Sequence, residues 1–320
     1  MFRFRRHPAG PLAVFLVAAL LACGQATDVA GALAEARAHL ASGNAAAAQD
    51  SLQNALEADP TEPEVHRLLG ELHVALGEFP EAIFHLTKAL ALEPGNVDVL
   101  ALRAAAYLDS NEPEHTLVDL NRAIRTDPGN LSAYVLRGET RAALGQLDGA
   151  VADAEVVVGA ADDLALQASA LWLRGTVRLN LGDLDGGIAD LSRLLELDPQ
   201  DADAYAARGR AQAAIGRFDA AVGDLRRALE VSPQNPVPLL DLARVLLTQD
   251  RLDEARAAID LAKRQLPDEP GLRLISGDYA ARAGDVQLAR SELEAAIAMA
   301  DEGSPIQARA RALLAQLTGR

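Results

Sequence analysis

The chain has 320 residues, half of them apolar and only 3% aromatic, with one cysteine and a formal net charge of −16. That acidity argues against a nucleic-acid partner, which calls for a basic face to meet phosphates, and leaves basic protein partners open. A lone cysteine excludes an intrachain disulfide.

The first residues read as a processing segment. Arg3, Arg5 and Arg6 precede an unbroken apolar run of eleven residues, Leu12 to Ala22. A bilayer span takes about 20 residues, so the run suits the apolar region of a signal peptide instead. It ends in Leu20-Leu21-Ala22-Cys23, which resembles the lipobox of bacterial lipoproteins. The resemblance implies a signal peptide over 1–22, cleavage after Ala22, acylation of Cys23 and a short linker over 23–28. Several acyl chains, each contributing about 0.8 kcal/mol per buried CH₂, would make a stable anchor. Gly24 follows the cysteine where an inner-membrane address would have Asp, so the expected location is the outer membrane, facing the periplasm. A plain signal peptide with an incidental cysteine, and an uncleaved anchor, stay open.

Past residue 28 the sequence repeats itself. Pro60, Pro94 and Pro128 are spaced by 34 residues, and so are Pro199, Pro233 and Pro267. The 71-residue gap between the two series is two repeats plus three residues, which places a register offset at 158–167. Gly43, Gly77, Gly145, Gly182, Gly216 and Gly284 share one repeat position, with Asn111 and Asp250 in the other two slots. Gly, Asn and Asp best tolerate a left-handed backbone, so this position is the turn between two helices. The prolines then mark the end of the second helix, because the residue before proline leaves helical geometry. Ala48, Ala82, Ala150, Ala221, Ala255 and Ala289, with Thr116 and Gly187, form a small-residue position where two helices approach closely.

These markers resemble the tetratricopeptide repeat (TPR), and Leu69-Gly70, His73, Ala82, Leu86, Ala89 and Pro94 carry the likeness best. The resemblance implies an all-α fold: a right-handed superhelical solenoid of eight helix–turn–helix repeats. They run over 29–62, 63–96, 97–130, 131–167, 168–201, 202–235, 236–269 and 270–303, in two blocks of four. Repeat four departs from the pattern with 37 residues and no closing proline. The family's aromatic slots hold Leu, Tyr, His or Arg. Ser304-Pro305-Ile306-Gln307 opens a terminal helix over 304–318 with the signature of a capping box. Its face of Ile306, Ala310, Leu313, Leu314 and Leu317 is expected to close the last open interface.

Repeats three to six carry an arginine on the first helix, Arg103, Arg137, Arg174 and Arg208. Sixteen residues later, on the second helix, stand Asp119, Asp153, Asp190 and Asp224. The other four repeats are read as lacking both members, and co-occurrence predicts structural ion pairs within a repeat or to the next.

Nucleophile elbows, phosphate loops and zinc spacings are absent from the sequence. His39, His66, His73, His85 and His115 crowd the first three repeats. His66 and His73 fall in large-residue slots, and a metal site with His85 would lack a tight i, i+4 pair. No cofactor or enzyme activity is expected. The family likeness instead implies a groove lined by the first helices, here at Arg37, Arg67, Glu71, Glu139, Trp172, Asn180, Arg210, Arg244 and Asp278. Trp172, the sole tryptophan, is either a binding hot spot or packing at the joint. The Lys and Asn of the family's chaperone clamp are missing. The expectation is a lipid-anchored adaptor of the cell envelope with a protein partner. Pilus or secretion assembly, peptidoglycan-enzyme docking and exopolysaccharide export are undistinguished. A structural or self-oligomerising element with its groove filled is the alternative, and a metal carrier or enzyme is a third class.

Overall fold

Left-handed turns divide the chain into short helices. The computed structural model describes residues 28–319; the signal-like segment and Cys23 lie outside the described residues. All eight turn positions take a positive φ, including Asn111 at 60° and Asp250 at 57°. At all six marker prolines the preceding helix ends two residues earlier, as where Ala58 closes a helix before Asp59 and Pro60. Asp59 itself is extended, with φ −144° and ψ 97°, as a residue before proline must be.

The chain divides into two units, Met1–Thr140 and Arg141–Arg320. In the first, α1 (Val29–Ala41), α2 (Ala45–Ala58), α3 (Pro63–Ala75), α4 (Phe79–Leu92), α5 (Val97–Asp109) and α6 (Pro113–Thr126) follow in order. The division falls inside α7 (Leu131–Ala143). The second unit continues with α8 (Leu147–Ala160), α9 (Leu164–Asn180), α10 (Leu184–Leu197), α11 (Ala202–Ala214), α12 (Phe218–Val231), α13 (Val237–Thr248), α14 (Leu252–Gln265), α15 (Pro270–Arg282), α16 (Val286–Met299) and α17 (Pro305–Thr318). The described residues are all-α, and none of their helices is long and apolar enough to cross a membrane.

Within each unit, consecutive helices pack as antiparallel neighbours. First helices also approach first helices closely along the backbone, α1 on α3 on α5 and α9 on α11 on α13 on α15, whereas among the described residues second helices meet through long side chains, as Lys263 of α14 meets Glu292 of α16. The first helices therefore form the inner row of each unit.

Small residues set the close approach. Ala48, Ala82, Thr116, Ala150, Ala221, Ala255 and Ala289 are wholly buried. A Cβ on Gly70 would fall inside the side chain of Leu86, its neighbour across the helix pair. Thr116 satisfies its hydroxyl by donating to the Ala104 carbonyl at 3.1 Å. Leucines such as Leu52, Leu86, Leu120, Leu191, Leu225 and Leu293 fill the space between helices with none of their surface exposed.

The register offset corrects one expected boundary. The extra residues do not lengthen a loop: α9 has 17 residues against 13 for most first helices. It starts at Leu164, before the expected repeat start at 168. Asp163 caps it, accepting from the Leu166 amide at 3.0 Å, and Leu-Ala-Leu-Gln-Ala behind the cap favours helix. In α17, Ser304 accepts from the Gln307 amide at 3.3 Å. Gln307 reaches back to the Gly303 amide at 3.1 Å, one residue before the cap, and is itself buried. Leu313 and Ala310 cover Leu293 and Ala296 of the last repeat.

Candidate interaction face

The nine residues expected in the groove all lie on first helices, and the structure gathers seven of them around three hollows. In the first unit Arg37, Arg67 and Glu71 line a hollow of about 380 Å³ with Leu40 and Leu68. Glu64, which the sequence did not single out, is its hub. It accepts from Arg37 at 2.9 Å and from Arg67 at 2.6 and 2.7 Å, while Arg67 also bonds Glu71 at 2.9 Å. The Arg67 hydrogen bond outweighs burial and holds the Glu64 carboxyl below its usual range. Its three-residue spacing from Arg67 on one helix face was the available signal. Glu139 stands exposed on α7.

In the second unit Trp172, Asn180 and Arg210 line a hollow of about 430 Å³ whose floor is Leu179, Leu184, Ala207, Ala211 and Ala214. Trp172 is half-buried, so it both packs and presents a face to the hollow. Arg210 bonds Asp241 at 3.4 Å, and Arg244 shares the same aspartate. Asp278 accepts from Arg282 at 2.9 Å, at a third hollow that includes Leu313 and Leu317 of the capping helix.

Arg103, Arg174 and Arg208 meet their aspartates across the helix pair. Arg103 donates from Nε and Nη2 to the two carboxylate oxygens of Asp119, both at 2.7 Å. Arg174 makes the same fork to Asp190 at 2.9 and 2.6 Å, and Arg208 to Asp224 at 2.7 and 2.7 Å. The remaining two residues belong to different units. Arg137 donates to Asn121 at 2.8 Å, and Asp153 accepts from Arg141 at 2.7 Å. Three partners of these forks were not foreseen. Arg103 and Arg208 also donate to a hydroxyl of the preceding repeat, Thr87 at 2.9 Å and Ser192 at 3.0 Å. Arg178 adds a second cation to Asp190 at 2.9 Å. Each fork thus ties two helices of one repeat, and at two of them the arginine spans to the repeat before.

One sequence expectation needs correcting: repeat eight does not lack an acid. Glu292 fills the aspartate slot, buried, with Lys263 at 2.8 Å and Arg273 at 3.1 Å. Burial pushes its carboxyl up, but those two hydrogen bonds prevail and hold it below its usual range.

In repeat two histidines occupy this level. His66 Nδ1 lies 3.1 Å from His85 Nδ1, His66 Nε2 lies 3.2 Å from the Pro60 carbonyl, and His73 stacks on His85 with ring centroids 5.5 Å apart. His73 Nδ1 pairs with Glu78 at 2.7 Å. Burial, then the neighbouring His66 and His73, push His85 down to about 4. His39 is half-buried and His115 exposed, the latter 3.0 Å from Glu112. Among the described residues no three His, Cys, Asp or Glu side chains are placed to hold a metal.

Comparison with known proteins fits this geometry. Models described as tetratricopeptide repeat match residues 33–97, 172–236 and 216–275. No curated protein matches the chain in sequence. Among solved structures, a tetratricopeptide repeat protein from Parabacteroides merdae is similar over 93% of this chain and 100% of its own, with TM-score 0.52 and 19% identity. YrrB, described as a TPR protein with an unusual peptide-binding site, is similar over 59% of this chain and 95% of its own, with TM-score 0.51 and 20% identity. The structure titled APC/C hetero-tetramer Cut9-Hcn1 shares 15% identity with TM-score 0.56, over 84% of this chain and 51% of that one. At these identities the likeness is one of fold. Together the matched models span just over half of the chain, and the described residues carry the turn, small-residue and proline markers in register; the chain belongs to the tetratricopeptide repeat family.

Proposed function

We propose that this chain is a lipid-anchored, periplasm-facing scaffold of the bacterial cell envelope, which holds a protein partner along its inner row of first helices. The family supports the coarser part, since tetratricopeptide repeats generally bind proteins and are generally non-catalytic. The lipobox-like Leu20-Leu21-Ala22-Cys23 supports the anchor.

The observation that carries the binding face is the hollow at Trp172. A tryptophan and an arginine, the commonest hot-spot residues, stand together over an apolar floor on the inner row. A peptide-binding site is described on one neighbour of the same fold, while the reading rests on this chain's own residues.

Two measurements test it. Cys23→Ala should move the protein from the membrane fraction to the soluble periplasmic fraction, and unchanged membrane association would remove the anchor. A photoreactive side chain at Trp172 should crosslink in cells to a discrete partner. The same probe at Val118, 63% exposed on α6, should not, and identical products from both sites would sink the groove.

A further inference from the structure

We propose that the hollow at Trp172 seats an apolar side chain of an extended acidic protein segment, whose side-chain carboxylates pair with Arg210 and Arg244. The proposal deepens the reading of the inner row as a binding face and rests on it.

The hollow supplies the apolar part. Its floor is aliphatic and Trp172 forms one wall; the polar lining is Asn180, Arg210 and Thr176, whose hydroxyl is already spent on the Trp172 carbonyl at 2.8 Å. A volume of about 430 Å³ has room for a side chain with part of its backbone.

The charge is set by a shortage of acid. Arg210 and Arg244 converge on one carboxylate, Asp241, whose side chain is 12% exposed. The two arginine side chains stay 47% and 64% exposed. One carboxylate cannot neutralise two guanidiniums, so an unmatched positive charge stands beside the apolar hollow. The neighbouring acids are otherwise placed: Asp278 is tied to Arg282 at 2.9 Å, and Asp203 sits in the first turn of α11, about two helical turns from Arg210. This local excess occurs in a chain of net charge −16, so it is not a by-product of overall basicity. A basic segment would set its cations against both arginines, whereas carboxylates would meet forked donors.

The row also decides where those carboxylates sit. Arg210 belongs to the hollow, but Arg244 lies on α13, one repeat further along. A chain that fills the hollow and reaches Arg244 passes through the site, and its charges in transit are side chains of Asp or Glu.

Trp172 is the only tryptophan, so its emission reports the hollow directly. Purified full chain is titrated at low salt with three tryptophan-free peptides: acetyl-Gly-Glu-Leu-Glu-Glu-Gly-amide, its Lys-for-Glu counterpart, and its Ser-for-Leu counterpart. Saturable change with the acidic leucine peptide is expected, at least about tenfold tighter than with either counterpart and weakening as salt is added. The double variant Arg210→Glu with Arg244→Glu should reverse the charge preference, and Arg210→Gln, checked for unchanged helicity, should abolish most of it. Equal or tighter response to the Lys peptide would overturn the charge assignment while leaving the binding face standing. Equal response to the Ser peptide would overturn the apolar anchor. No response to any of the three up to about 1 mM would overturn the hollow as a binding site altogether.

Discussion

Asp119 has 3% of its side chain exposed and Arg103 15%, so their fork is largely shielded from water. Desolvation works against the Arg103 charge, and the hydrogen bond and charge of Asp119 overcome it, leaving the guanidinium's affinity for its proton raised. Removing the acid would leave that largely buried cation without its carboxylate, with the Thr87 hydroxyl as a remaining neutral partner. Asp119→Ala is therefore expected to lower unfolding stability by about 3 kcal/mol in urea titration, whereas replacing both partners with aliphatic residues should recover much of the loss. A single-variant loss no larger than that of an exposed Asp→Ala would count against a structural role. The forks were legible because both members come and go together sixteen residues apart. Thr87 and Ser192 were not, because any short hydrogen-bonding residue could serve there. Glu292 escaped notice because its longer side chain recruits cations from other positions, Lys263 and Arg273.

Helix ends were written in single residues and could be read directly. Six glycines, an asparagine and an aspartate take the left-handed conformation at the turns, and the six prolines stop second helices two residues upstream. The beginning of α9 was not readable in this way. No proline marks residues 158–167, and whether surplus residues coil or extend a helix depends on a cap and a surface to pack on. The terminal helix has a sharper consequence. Leu313 and Ala310 cover Leu293 and Ala296, and without them the last repeat would present a bare apolar interface. Deleting 304–320 should produce concentration-dependent self-association by light scattering; a monodisperse monomer of unchanged melting temperature would show that the helix is not a cap.

For the whole molecule, acid sensitivity follows from which groups change protonation on unfolding. His85 is held down to about 4 by burial and by His66 and His73, against about 6.5 in an unfolded chain. Between those values the unfolded chain binds the proton and the folded one resists it, so stability is full above about pH 6.5 and falls toward pH 4. Glu64 and Glu292, held below their usual range, contribute stability that is present above about pH 4.5 and lost only below it. Glu139, whose carboxyl is pushed up by desolvation, works in the opposite sense, so the loss between about pH 6.5 and 5 is assigned to the histidine cluster. From pH 7.5 to 5 the protein should lose on the order of 1 kcal/mol, and His85→Gln, which keeps a donor for His66, should flatten that slope. An unaltered slope in the variant would assign the sensitivity elsewhere.

The sequence by itself determined the repeat, its turns, the helical pairing and the forked ion pairs, because each depends on residues at fixed separation along one or two neighbouring helices. It also pointed to the proposed binding face, through the first-helix positions of Arg67, Trp172 and Arg210. Only the tertiary structure decided what those positions amount to. Glu64 ties up Arg37 and Arg67, while Arg210 and Arg244 share a single aspartate beside an apolar hollow. Which charges cancel and which remain is a matter of distances between successive repeats, and no periodicity in the sequence encodes those distances.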